Sequence, residues 1–284
     1  MTSTSEATAV ADYTLALADD ALIASHRLTE WVARAPEIEE DVALANIALD
    51  LLGQARLLLQ YAGSLHRPAR TEDDLAHLRD EGGFRNVCLV ERENGDFAVT
   101  IARLLLFSAY QRELYGRLVH STDATLAAVA AKAVKEVDYH CDHARLWALR
   151  LGDGTPESHT RMQAGLDAEW PWAAELFDGA WLPPGLVGDG VAVDPALLEP
   201  AWRDRVLGVV AEATLAEPTG AEPTGAEPTP AEPTPAEPTP AEPTPADPTG
   251  HAVGAGRHGR HTEVFGALLA EMQELARSHP GASW

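Results

Sequence analysis

Apolar residues recur along this chain at three- and four-residue steps, which is the period of an amphipathic helix, and nowhere alternate long enough for a strand. In the fourth of the helices this predicts, at 123–151, the inward stripe is Ala133, Val137, His140, Ala144, Trp147 and Leu151. The first, at 12–34, has Leu17, Ala21, Ala24, Leu28 and Trp31, with Asp20 at the stripe's edge and Asp19 further round. The third, at 95–120, has Phe97, Ile101, Leu104, Ser108, Gln111, Tyr115 and Leu118. Further helices are predicted at 158–179, 196–215 and 260–278. Pro36, Pro68 and Pro156 punctuate the connections, and Asn94-Gly95 and Ser121-Thr122-Asp123 mark helix starts. Short turns between long helices make neighbours antiparallel.

The second helix, at 38–63, is apolar over most of its circumference. Ile38, Val42, Ala45, Leu49, Leu52 and Leu59 share one face, and Leu44, Ile47, Ala48, Leu51, Ala55 and Leu58 the adjoining one. An arc of roughly 220° exceeds what one core-facing stripe needs. Such a helix is expected to serve both its own core and a partner. Its narrow polar arc carries Asn46, Asp50, Gly53 and Gln54.

Composition supports an all-helical protein: 284 residues, 45% apolar, are enough for a sizeable core. The formal charge of −23 argues against nucleic acid and against an anionic membrane surface, because phosphate neutralisation needs clustered Lys and Arg. With no run of about 18 uncharged apolar residues and no basic n-region or apolar h-region at Met1 to Ala11, a cytosolic location is expected. Cys88 and Cys141 read as reduced core thiols.

From Ala216 to Gly250 a five-residue unit repeats seven times: Ala-Glu-Pro-Thr-Gly twice, Ala-Glu-Pro-Thr-Pro four times, Ala-Asp-Pro-Thr-Gly once. Proline at every repeat forbids helix, and no large apolar group offsets ordering entropy, so an extended insertion is expected at 216–250. The expected organisation is a disordered N-terminus at 1–11, a helical domain at 12–215, the insertion, and a C-terminal helical segment at 251–284 that packs back on the domain.

The candidate chemistry lies in the bundle interior. A carboxylate-bridged di-iron bundle takes Glu-x-x-His from each of two helices and one glutamate from each of the other two. Here the fourth helix reads Val137-Asp138-Tyr139-His140, and the second reads Asp50-Leu51-Leu52-Gly53. Valine and glycine have no donor atom, and Ser108 stands near where the third helix would supply a carboxylate. Asp20, Asp50, Gly53, Ser108, Val137 and His140 therefore read as degenerate ligand positions. Glu136, His140 and His143, on neighbouring turns, form an alternative by spacing alone: a histidine pair with a carboxylate that would make the chain a self-sufficient metalloprotein. His258, His261 and His279 have no ligand spacing, and no Ser-His-Asp set, phosphate-binding glycine loop or Cys-x-x-Cys can be assembled.

The run from Ala35 to Arg56, with Glu39-Glu40-Asp41-Val42-Ala43-Leu44-Ala45-Asn46-Ile47 at its heart, resembles the C (beta-type) subunits of bacterial ring-1,2-phenylacetyl-CoA epoxidases, a family of multicomponent monooxygenases. Further matches are Ala131-Lys132-Ala133-Val134-Lys135-Glu136 with Tyr139-His140, Glu175-Leu176-Phe177-Asp178, Val191-Ala192-Val193-Asp194-Pro195, His261-Thr262-Glu263 and Leu269-Ala270-Glu271-Met272-Gln273. The likeness runs from about Tyr13 to Leu215 and resumes near Gly259, with the repeat unmatched. It implies an all-α, ferritin-like four-helix bundle with additional C-terminal helices, acting as a non-catalytic subunit in a hetero-oligomer. The implied partners are a homologous catalytic subunit that holds the di-iron centre, a small accessory subunit, and a flavin and iron-sulfur reductase. This chain would hold no cofactor of its own. His140 and Asp50 would be remnants, hydrogen-bonded to each other or to buried water. Leu44, Ile47 and Leu51, on the broad arc of the second helix, would be candidate contacts with the catalytic subunit.

Overall fold

The computed structural model describes residues 4–218 and 255–280, and among them every regular element is helical. Four long helices make the bundle. The first, α1 (Thr4–Thr29), pairs along its length with α2 (Ile38–Leu65). A crossover holding the short helices α3 (Glu72–His77) and α4 (Cys88–Glu91) leads to α5 (Phe97–Leu118), which pairs in turn with α6 (Ala124–Gly152). Two antiparallel hairpins joined by one long crossover are the ferritin-like arrangement. They meet where α2 lies against α6. Outside the bundle, α7 (Pro156–Glu169) packs on α5 and α6, α8 (Pro184–Gly188) follows, α9 (Glu199–Glu212) packs on α5 and α6, and α10 (Phe265–Ser278) packs on α3.

Helix starts follow the polar punctuation. Asp96 accepts from the Val99 N–H to open α5, after Gly95 turns the chain at a φ of 59°, where a Cβ is disfavoured. Asp123 accepts from Thr125 and Leu126 to open α6, and Thr155 with Ser158 closes a capping box ahead of Pro156.

Several boundaries depart from the pattern-based expectation. Helix α1 already begins at Thr4, so residues 4–11 are not a disordered tail: Val10 and Ala11 are buried. It ends at Thr29, and the expected extension to 34 is turn, with Ala33 at a positive φ. The helix expected at 158–179 breaks at Glu169, because Pro171 cannot donate to the ladder, and Trp170–Phe177 continues as a 3-10 stretch. At 196–215, Thr214 takes a left-handed φ and α9 stops at Glu212. The helix expected from 260 starts at Phe265. Residues 1–3, 219–254 and 281–284 lie outside the described residues, and with them nearly all of the insertion expected at 216–250.

The crossover is held by two adjacent aspartates of α1. Asp19 takes a two-pronged ion pair from Arg79, with Nη1 at 2.8 Å from Oδ2, and accepts from the Arg85 N–H. Asp20 accepts from the Val87 N–H at 2.9 Å and pairs with Arg257 from beyond the repeat. All four side chains are buried, so each charge is matched by the other.

Candidate functional site

A seam of polar pairs runs the length of the α2–α6 contact. His140, fully buried on α6, lies with Nε2 3.2 Å from Asp50 Oδ2 on α2. A carboxylate only accepts, so Nε2 carries the proton and donates. That leaves Nδ1 as a buried lone pair with no hydrogen-bond partner. This meets the expectation that His140 and Asp50 bond to each other. One turn along, Gln54 donates to Glu136 at 3.2 Å, and Glu136 is paired with Lys132 at 3.1 Å. Gln111 of α5 reaches Gln54 at 3.5 Å. At the other end His143 Nε2 lies 3.2 Å from Glu40 without hydrogen-bond alignment.

Burial lowers both imidazoles below the usual range, at His140 against the pull of Asp50 and Glu136 and at His143 against that of Glu40. Both rings are neutral in the native protein at neutral pH, whereas the unfolded chain takes up protons near pH 6.5. The stability the neutral seam contributes is therefore complete above that value and declines as pH falls through the folded-state pKa values. Thermal melting midpoints should fall between about pH 7 and pH 5, and the fall should be shallower in a His140→Gln, His143→Gln double variant. Equal pH slopes in the two proteins would refute this assignment.

The degenerate ligand positions do not form one site. Asp50 and His140 come together, with Gly53 beside Lys132, whose Nζ would stand 3.8 Å from a Cβ there. Val137 is buried apolar core, and Ser108 is buried on α5 beside the Cys141 thiol. Asp20 must be removed from the set. It faces the crossover, where the Val87 N–H and the Arg257 guanidinium occupy its oxygens and leave none for a metal. The alternative triad also fails to converge: Glu136 is engaged by Lys132 and Gln54, while His143 turns to Glu40. Among the described residues no three His, Cys, Asp or Glu side chains are placed to hold a metal ion. Two irons need about six such donors, so the interior does not fit a di-iron centre. Cys88 and Cys141 are free thiols, which burial pushes up to about 12 and about 11, so both resist ionisation.

The outer surface of α2 is the second feature. Leu44, Ile47 and Leu51 are buried within the chain, so these three expected partner contacts are corrected to core residues. The opposite half of the apolar arc faces solvent: Ile38 is 74% exposed, Val42 57%, Leu49 63% and Leu52 44%. They follow one another at three-, four- and seven-residue steps, a stripe about 21 Å long. Tyr139 and Leu146 are exposed on neighbouring α6. By length and composition α2 is apolar enough to cross a membrane. Its two-sided apolar surface accounts for that, one half packed in the bundle and the other open, with Asp50 on the flank between them.

Comparison with known proteins bears on both features. Residues 1–228 match the family model described as phenylacetic acid catabolic protein. The chain is also 44% identical over 272 residues to the C subunit of the 1,2-phenylacetyl-CoA epoxidase of Escherichia coli (strain K12), across 96% of this chain and 98% of that protein. The ferritin-like hairpins and the polar seam between α2 and α6 are thus features of a member: the chain belongs to the phenylacetic acid catabolic protein family.

Proposed function

We propose that this chain is the structural, non-catalytic subunit of a phenylacetyl-CoA 1,2-epoxidase in aerobic phenylacetate degradation, pairing with the subunit that carries the di-iron centre and holding it in a competent conformation. The observation that carries the proposal is the donor-poor layer between α2, α5 and α6. Gly53, Val137 and Ser108 read as positions where a di-iron bundle needs ligands, and Asp50 is engaged with His140 and Gln54 with Glu136. A fold that keeps a ferritin-like frame without the donors has support as its remaining role. Oxygen activation, substrate oxidation and electron supply then belong to the catalytic subunit and the reductase, and a small accessory subunit makes up the rest of the hetero-oligomer.

The exposed stripe on α2 supplies the contact. Burying Ile38, Val42, Leu49 and Leu52 against a partner would contribute about 1.5–3 kcal/mol per fully covered side chain before ordering costs.

The proposal is tested on the reconstituted complex. His140→Ala and Asp50→Ala should leave turnover of phenylacetyl-CoA within about twofold of wild type, because neither residue touches a reacting atom. Loss of turnover by tenfold or more in an intact complex, at about 1.4 kcal/mol of transition-state stabilisation, would overturn it.

A further inference from the structure

The segment after the repeat reaches the interior as a set of ligands. Arg257 is fully buried, its Nη2 2.6 Å and Nη1 3.1 Å from the two oxygens of Asp20. Nη1 also donates to the carbonyls of Ala16 and Arg85, and the guanidinium lies 5.0 Å from the centre of the Trp181 ring. The Arg257 N–H donates to Glu175 at 3.1 Å, while the other oxygen of Glu175 accepts from the Cys88 N–H. Four residues on, His261 Nδ1 lies 2.7 Å from Glu91, and the Thr262 N–H donates to the same carboxylate. Beside Arg257, Gly256 passes so close to Asn86 that a Cβ would fall 2.1 Å from its carbonyl oxygen.

Three buried carboxylates on three separate elements, Asp20, Glu91 and Glu175, thus converge on one short basic stretch. Each also has a donor on the bundle side, from Val87, Asn86 and Cys88. Each carboxylate thus lies between a bundle donor and the segment, which fills the groove as a peptide would, by a planar fork, a ring and backbone N–H groups.

We propose that the groove of α1, the 84–91 stretch and the Trp170–Phe177 turn is a binding site for an arginine- and histidine-bearing peptide, filled in cis by residues 256–262, and that it holds this segment non-covalently. An unbroken chain between 218 and 255 is not required.

The test cuts the chain. Residues 231–237 are replaced by the recognition sequence of a site-specific protease, and the folded full-length protein is cleaved and passed through gel filtration with intact-mass detection. Both pieces should co-elute with unchanged helical signal, whereas departure of the C-terminal piece in native buffer would overturn the proposal. In cleaved Arg257→Met the piece should leave on the order of a hundredfold faster, because Asp20 is left buried and unpaired. Arg257→Lys, which keeps the charge and loses the fork, should fall between the two and serves if the methionine variant does not fold. Retention as firm as wild type in these variants would overturn the role of the arginine.

Discussion

An aspartate at Leu49 is expected to release this chain from the proposed catalytic partner while leaving the chain itself folded. Leu49 sits mid-stripe with more than half of its surface in solvent, so its replacement should change the stability of the isolated chain by no more than about 0.5 kcal/mol. In the complex the same carboxylate would be forced into an apolar contact. The expected loss of about 2–4 kcal/mol, typical of a central interface residue, weakens binding by roughly 30- to 1,000-fold. Ile47→Asp is the internal control. Ile47 is fully buried two residues earlier, so an aspartate there should unfold the chain before any partner is met. Co-purification with the catalytic subunit, together with urea titration of each isolated variant, reads both effects. A Leu49→Asp chain that still binds at wild-type strength would move the interface away from α2.

The second large effect is expected at Arg79. Its guanidinium grips both oxygens of Asp19, donates to the carbonyls of Leu75 and Gly83, and stacks 4.0 Å from the centre of the Phe84 ring. Methionine would keep the apolar stem and remove every charged donor. Asp19, fully buried, would keep only the Arg85 N–H. Breaking a buried pair from one side costs about 3–5 kcal/mol, a large part of the stability of an ordinary domain. The urea midpoint of Arg79→Met should fall accordingly, since this pair fastens the crossover that joins the two hairpins. A change below about 1 kcal/mol would mean that the crossover is held by its apolar contacts alone.

The helices are legible in the sequence because their stripes are long. Asp123 announces the start of α6 through elementary capping chemistry, whereas Pro156, read as punctuation of a connection ahead of a helix at 158, opens α7 itself. The crossover is not legible, since α3 and α4 are too short to display a period and the stretch around them is tied to α1 by the Arg79–Asp19 pair and by the Arg85 and Val87 N–H groups, which leave no trace in local sequence. On α2 the breadth of the apolar arc is readable, but its orientation is not. Which half faces inward is decided by where α1 and α6 approach, as the Ser25 hydroxyl bonding to the Ala48 carbonyl and His140 bonding to Asp50 show. Periodicity gives angles around an axis and no absolute direction, so it points Leu44, Ile47 and Leu51 at the partner when Leu49 is the residue left open to one.

The site is partly readable for the same reason. Donor identity at Gly53 and Val137 is visible in the sequence, whereas the choice of Asp50 over buried water as the partner of His140 is made by the way α2 and α6 meet. Asp20 is misplaced by spacing because its partner, Arg257, lies beyond the proline repeat and no helical period connects the two. The groove that Arg257 enters is built from residues distant in sequence, and the local hint is the basic stretch Arg257-His258-Gly259-Arg260-His261 in an otherwise acidic chain.

Anomalous diffraction at the iron edge from crystals of the reconstituted complex tests the central claim most directly. The account predicts one pair of iron peaks, about 3.5–4 Å apart, inside each catalytic subunit and none between α2, α5 and α6 of this chain. An iron peak beside Asp50 and His140 would contradict it.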